Sequence, residues 1–97
     1  MGCSALRLMA SPVGSGRGVV NTRGILDVIE QTRLPVIVEG GLRTPSDCAK
    51  AMELGADCVL VNAAIVRASN QVEMAKAVSR GVQAGRAAYL AQPMAAA

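Results

Sequence analysis

Three times along the chain, a short aliphatic run gives way to a loop of small residues and then to a stretch with apolar positions three and four apart. The first run covers residues 4–10 and is interrupted by Arg7. The loop 11–18 follows it, and then a predicted helix over 22–31 with Ile25, Val28 and Ile29 on one face and Asn21 or Thr22 as its cap. The second run, 35–39, is β-branched, too short for a helix, and bounded by Pro35 and the pair Gly40 and Gly41, which predicts a strand. The helix after it has the clearest start in the chain: Thr44 as N-cap, Pro45 at the first helical position and Asp47 in the first turn. Ala49, Met52 and Leu54 are expected on its inner side, and Gly55 stops it. A third strand is predicted over 57–62, with a short helical segment over 64–67. The last helix starts near Asn70, with Glu73 three residues on in a capping-box-like pair. Val72, Ala75, Val78, Val82 and Tyr89 are its predicted inner stripe. Gly81 and Gly85 each weaken that helix by about 1 kcal/mol relative to Ala, which points to close packing at those positions. Residues 92–97 are expected to fray.

Alternating strand and helix at this spacing predicts an α/β fold with parallel strands joined by crossovers. A closed barrel of such units takes about 250 residues. A 97-residue chain is therefore a piece of a barrel, a small open layer, or a unit completed by association. Three strands alone leave two sheet edges to be covered. Composition agrees with this class: hydrophobic residues make up 52% but aromatics only 1%, so Val, Ile, Leu, Met and Ala must build the core.

Charge and cysteines narrow the chemistry. The net charge of +3 comes from scattered arginines with no aromatic interleaving, which gives little support to nucleic-acid binding. Cys3, Cys48 and Cys58 form no C-x-x-C pair and suit a reducing cytosol better than a disulfide framework. The chain has no His, so His-based triads and His metal sites are out, and no metal site is expected. No apolar run reaches the ~18 residues of a membrane span. The N-terminal residues lack the Ser or Thr of a myristoylation signal and are broken by Gly and Pro, so neither lipidation nor a transit peptide is expected.

In units of this kind ligands gather at the C-terminal ends of the strands. Three small-residue segments fall there: Gly14 to Gly18, Glu39-Gly40-Gly41, and Asn62-Ala63-Ala64. A phosphate needs close approach of backbone N–H groups, and the second and third segments lead into helix starts. The competing reading is that these glycines only make tight turns. Gly14-Ser-Gly-Arg-Gly18 is not a dinucleotide fingerprint, because Val19 stands where the third Gly belongs. Arg17 is either an anion ligand or a solvated loop charge. Glu39, at a strand end, is a candidate general acid or base; the alternative is a hydrogen bond to loop N–H groups. Asp57, at the opposite end of its strand, is expected to be structural. Lys50 and Lys76 lie within helices and are not placed for an imine.

Pro12 to Gly18, Pro35-Val-Ile-Val-Glu-Gly-Gly41, Thr44-Pro-Ser-Asp47, Ala51-Met-Glu-Leu-Gly-Ala-Asp57, Val61-Asn-Ala-Ala-Ile65 and Ala84-Gly-Arg-Ala-Ala-Tyr-Leu90 follow one another as in thiazole synthase of thiamine biosynthesis. The resemblance covers residues 3 to 91. It implies the last three βα units of a (β/α)₈ TIM barrel, spanning 1–97 as its C-terminal part. It implies a cytoplasmic, homo-oligomeric transferase that forms the thiazole phosphate ring. The family's substrates are 1-deoxy-D-xylulose 5-phosphate, dehydroglycine and sulfur from a sulfur-carrier protein thiocarboxylate, with no cofactor. By position, Gly14, Gly40, Gly41, Asn62 and Ala63 match the family's sugar-phosphate contacts, and Glu39 matches an acid–base aspartate. The family's imine-forming lysine belongs to an earlier strand. Two local departures stand out. The family usually has Asp-Ala-Gly-Ile-Gly where this chain has Glu39-Gly-Gly-Leu-Arg43, which shifts a carboxylate by about 1 Å and brings Arg43 to the expected phosphate. Arg7 replaces an apolar residue, so the first strand is expected to pack differently. The alternatives are a different phosphate-binding barrel enzyme of the pyridoxal phosphate synthase type, or a non-catalytic phosphate- or partner-binding remnant.

Overall fold

The computed structural model describes residues 5–11 and 16–95. Its elements run β1 (Leu6–Met9), α1 (Thr22–Gln31), β2 (Val36–Glu39), α2 (Pro45–Glu53), β3 (Cys58–Leu60), α3 (Ala63–Val66) and α4 (Gln71–Ala91). The strands form one parallel sheet in the order β1-β2-β3. The predicted α/β alternation is therefore present. The strands are shorter than their apolar runs, β1 and β3 most of all.

Strand alternation divides the sheet into two faces. Val36 and Val38 are buried, with Leu8 and Val59 packed against them, and this face carries the helices. The register sets Arg7 beside Ile37 and Cys58, and Met9 beside Glu39 and Leu60, on the other face. That second face is open: Arg7, Met9, Cys58 and Leu60 are all exposed. Arg7 thus interrupts the first apolar run without entering the core.

Helix starts follow local sequence. Asn21 caps α1, its side chain accepting from Gly24 N at 3.1 Å. Thr44 and Asp47 form a complete capping box on α2, with Pro45 in the first turn; an N-cap of this kind contributes about 1 kcal/mol. Asn70 accepts from Glu73 N at 3.1 Å at the start of α4. Gly55, at φ 108°, ends the α2 segment. Asp57 has a structural role: its Oδ2 accepts from Val36 N at 2.7 Å and ties the start of β3 to β2.

The predicted inner stripe of α4 needs correction. Val78 is buried, Val82 packs on the core and the Tyr89 ring, though 40% exposed, lies against Gly55, but Val72 and Ala75 are exposed. The inner face instead runs through Met74, Val78, Gly81, Val82 and Gly85. Gly81 and Gly85 select it, because they let α4 approach the backbone of α2 at Pro45 and Ala49. On α2, the buried residues are Cys48, Ala51 and Met52, with Ala49 and Leu54 only partly covered. Among the described residues, no helix is long and apolar enough to cross a membrane.

Cys48 is fully buried in this core, while Cys58 lies exposed on the open sheet face. Burial, with Asp47's charge adding to it, pushes the Cys48 thiol up from 9.0 to about 11. The folded state therefore holds a proton that the unfolded chain releases at lower pH. The contribution is fully present below about 9 and is lost as pH rises towards about 11. Denaturant unfolding across that window should show a steeper loss of stability for the native protein than for Cys48→Ala. Parallel slopes would refute this.

Candidate functional site

The C-terminal ends of β2 and β3 open into one cavity of about 640 Å³. β2 ends at Glu39, and Gly40 and Gly41 follow in the left-handed region, at φ 76° and 71°. Two successive positive φ angles turn the chain sharply, and only glycine takes them without cost. The turn brings the backbone against the end of β1, where Ala10 N donates to Glu39 O at 2.7 Å and Ser11 N donates to Gly40 O at 3.2 Å. Gly18 N donates to Gly41 O at 2.8 Å, so the returning loop is laced to the same turn.

From β3 the chain passes through Val61 and Asn62 into α3. The Asn62 side chain makes no capping hydrogen bond to that helix. It lines the cavity with Ala63 and Ala64, opposite Glu39, Gly40 and Gly41. Arg43, Thr44, Arg67, Ala68 and, from α4, Met74 line it as well. The lining is therefore largely apolar, from Leu42, Leu60, Val61, Met74 and the alanines, with the Gly40 and Gly41 turn, one carboxylate and two guanidinium groups beside it.

Of the residues singled out from sequence, Glu39, Gly40, Gly41, Asn62, Ala63 and Arg43 come together at this cavity. Arg17 is exposed and is not among its lining residues. Gly14 lies outside the described residues, as do Pro12, Val13 and Ser15. The start of α2 carries its own Thr44–Asp47 box, with Asp47 Oδ2 accepting from Arg43 N at 3.0 Å and Thr44 N at 3.2 Å. Those N–H groups are already satisfied by protein.

Sequence reading missed Arg67 as a lining residue, whereas Gly16 lines the cavity from within the expected segment Gly14 to Gly18. For Arg67 a signal existed: it follows the four-residue α3, so one helical turn sets it on the same side as Ala63. The contact between Glu39 and Arg7 was also missed. Arg7 Nη2 donates to Glu39 Oε2 at 2.6 Å. The two residues sit diagonally across neighbouring strands, within reach of a long side chain. The pair raises the already high pKa of the Arg7 guanidinium, first through the hydrogen bond and then through charge.

Parallel βα units that gather their strand ends and glycine turns at one cavity define an α/β protein with a pocket where such folds bind ligands. The chain belongs to the family described as thiazole biosynthesis protein ThiG, which matches residues 1–97. Thiazole synthase of Prochlorococcus marinus subsp. pastoris is 50% identical over 91 residues, covering 94% of this chain and 34% of that protein. Thiazole synthase of Phaeodactylum tricornutum is 49% identical over 94 residues, covering 97% of this chain and 35% of that protein. A solved structure, the Amycolatopsis orientalis BexX/CysO complex, superposes with a TM-score of 0.97 at 49% identity, covering 99% of this chain and 39% of that one. The chain thus spans about a third of the length of these thiazole synthases, and it matches their C-terminal part.

Proposed function

We propose that this chain is the C-terminal part of a thiazole synthase TIM barrel and supplies the phosphate-holding end of its active site. The observation that carries this reading is the convergence of Gly40, Gly41, Asn62 and Ala63 on one cavity at the strand ends. Backbone approach is what a phosphate needs, and neither Gly40 nor Gly41 carries a side chain to stand in its way. The open second face of the sheet supports the barrel reading, since strands in such a barrel present that face to the other strands' side chains.

In this proposal the substrate is 1-deoxy-D-xylulose 5-phosphate, with its phosphate at Gly40, Gly41, Asn62 and Ala63. Arg43 in the lining adds positive charge. Gly14 and Arg17, in the segment that follows β1, would add further contacts to the phosphate. Glu39 works as the acid or base on the sugar, as its place in the cavity wall permits. The imine forms on a lysine outside these residues, because Lys50 and Lys76 are exposed on α2 and α4 and do not line the cavity. Sulfur comes from the thiocarboxylate of a carrier protein, and the solved BexX/CysO complex supports a protein partner of this kind. The enzyme is a cytoplasmic homo-oligomer in this reading, and association covers its remaining edges.

Borohydride trapping tests the proposal. The intact barrel carrying these residues, incubated with 1-deoxy-D-xylulose 5-phosphate and borohydride, is expected to gain the mass of one reduced sugar phosphate. Ribose 5-phosphate should give no adduct. An adduct with ribose 5-phosphate alone would replace this reading with that of another phosphate-binding barrel enzyme.

A further inference from the structure

The two departures from the family pattern, Glu39 and Arg7, touch each other in this chain. Glu39 carries one more methylene than an aspartate, hence one more rotatable bond and a carboxylate that must be held to stay in one place. Its side chain is only 21% exposed, and its Oε2 lies 2.6 Å from Arg7 Nη2. Arg7 itself is 60% exposed and reaches across from β1 on the open face of the sheet. A pair so open to solvent adds little to stability. Its consequence is geometric, because it fixes the carboxylate at the strand end that lines the cavity.

We infer that Arg7 is a positioning residue for Glu39: it engages Oε2 and leaves Oε1 to meet the substrate. This inference rests on the acid–base reading of Glu39 given above. The longer carboxylate and the guanidinium act as one unit, so neither change is expected to work well alone. A purely structural pair would affect folding or substrate affinity, not the chemical step selectively.

The test is a set of variants in the intact enzyme, with kcat and KM for the sugar phosphate measured separately and folding checked by thermal unfolding. Glu39→Gln should lower kcat by about 100-fold or more, the scale of losing a general acid or base. Arg7→Met should lower kcat by about 10-fold or more with KM within about twofold, as expected for a misplaced group. Arg7→Lys should recover part of that loss. In the Glu39→Gln background, Arg7→Met should cost nothing further. Arg7→Met combined with Glu39→Asp should recover most of the activity lost in Arg7→Met. Undiminished activity in Glu39→Gln would overturn the acid–base reading. A large effect of Glu39→Gln beside an unchanged kcat in Arg7→Met, or independent losses that multiply, would overturn the inference alone. A reading free of turnover comes from the Arg7 side-chain nitrogen signals. They should be resolved in the native protein and averaged in Glu39→Gln, and averaging already in the native protein would count against the pair.

Discussion

Gly85→Val should be the most damaging change on α4, although valine is intrinsically a better helix former than glycine. A Cβ at Gly85 would lie 2.5 Å from Ala49 O, 2.8 Å from Met52 Cβ and 2.9 Å from Ala49 Cα. Two of these are backbone atoms of α2, so no rotamer change relieves the clash. Gly81 makes the same kind of approach one turn earlier, where a Cβ would meet Pro45 O at 2.6 Å. The helices must move apart, and the buried contacts of Val78, Cys48 and Met52 go with them. Replacing glycine within a helix returns a few tenths of a kcal/mol, whereas overpacking at such a contact costs about 1–3 kcal/mol or more. The steric effect wins. Thermal unfolding of the intact protein should show a midpoint lower by roughly 6 °C or more, at about 2–4 °C per kcal/mol for a barrel-sized domain. Ala84→Val, on the exposed neighbouring position, should change it by only a few degrees. Equal midpoints for the two variants would mean that α4 does not rest on α2 as described.

The same contact explains what sequence could and could not give. β2, the capping box on α2 and the stop at Gly55 were readable because each depends on a few neighbouring residues. The inner face of α4 was not. Apolar periodicity favoured Val72 and Ala75, but the approach of two backbones turned the helix onto Met74, Gly81 and Gly85. A glycine contributes nothing to an apolar count, so a face built on glycines is invisible to that count.

The site divides in the same way. The three strand-end segments were legible as small-residue runs; the second and third meet at the cavity, and Gly16 reaches it from the first. The pairing of Arg7 with Glu39 was not legible, because 32 positions separate them and only the parallel register brings them together. Arg7 had been expected to disturb the packing of β1. Alternation instead places it on the open face, while its neighbours Leu6 and Leu8 turn towards the helices. The strand pattern is therefore intact, and the charge serves the end of the sheet where the carboxylate stands.

Gly41→Ala is expected to damage both the fold and the binding of an anion. At φ 71° an alanine already occupies an unfavourable backbone region. Its Cβ would fall on the Ser11 hydroxyl and within 2.7 Å of Ser11 Cβ. Ser11 is buried and anchored by its N–H to Gly40 O at 3.2 Å, so it has little room to withdraw. Backbone strain of about 1–2 kcal/mol and overpacking of about 1–3 kcal/mol act together here. A loss of roughly 3 kcal/mol follows if the two contributions add, measured by denaturant unfolding. Adding Ser11→Gly should remove the steric part and leave the strain, so Gly41→Ala should cost less in the Ser11→Gly background than in the native one. The turn at Gly40 and Gly41 also forms the wall on which the proposed phosphate rests. Inorganic phosphate, titrated by calorimetry, should bind at least about 10-fold more weakly to Gly41→Ala, since one lost charged hydrogen bond is enough for that change. Unchanged phosphate affinity in a folded Gly41→Ala protein would move the anion away from this turn and towards Asn62 and Ala63. A cost equal in both backgrounds would show that the strain at residue 41, and not the contact with Ser11, requires glycine.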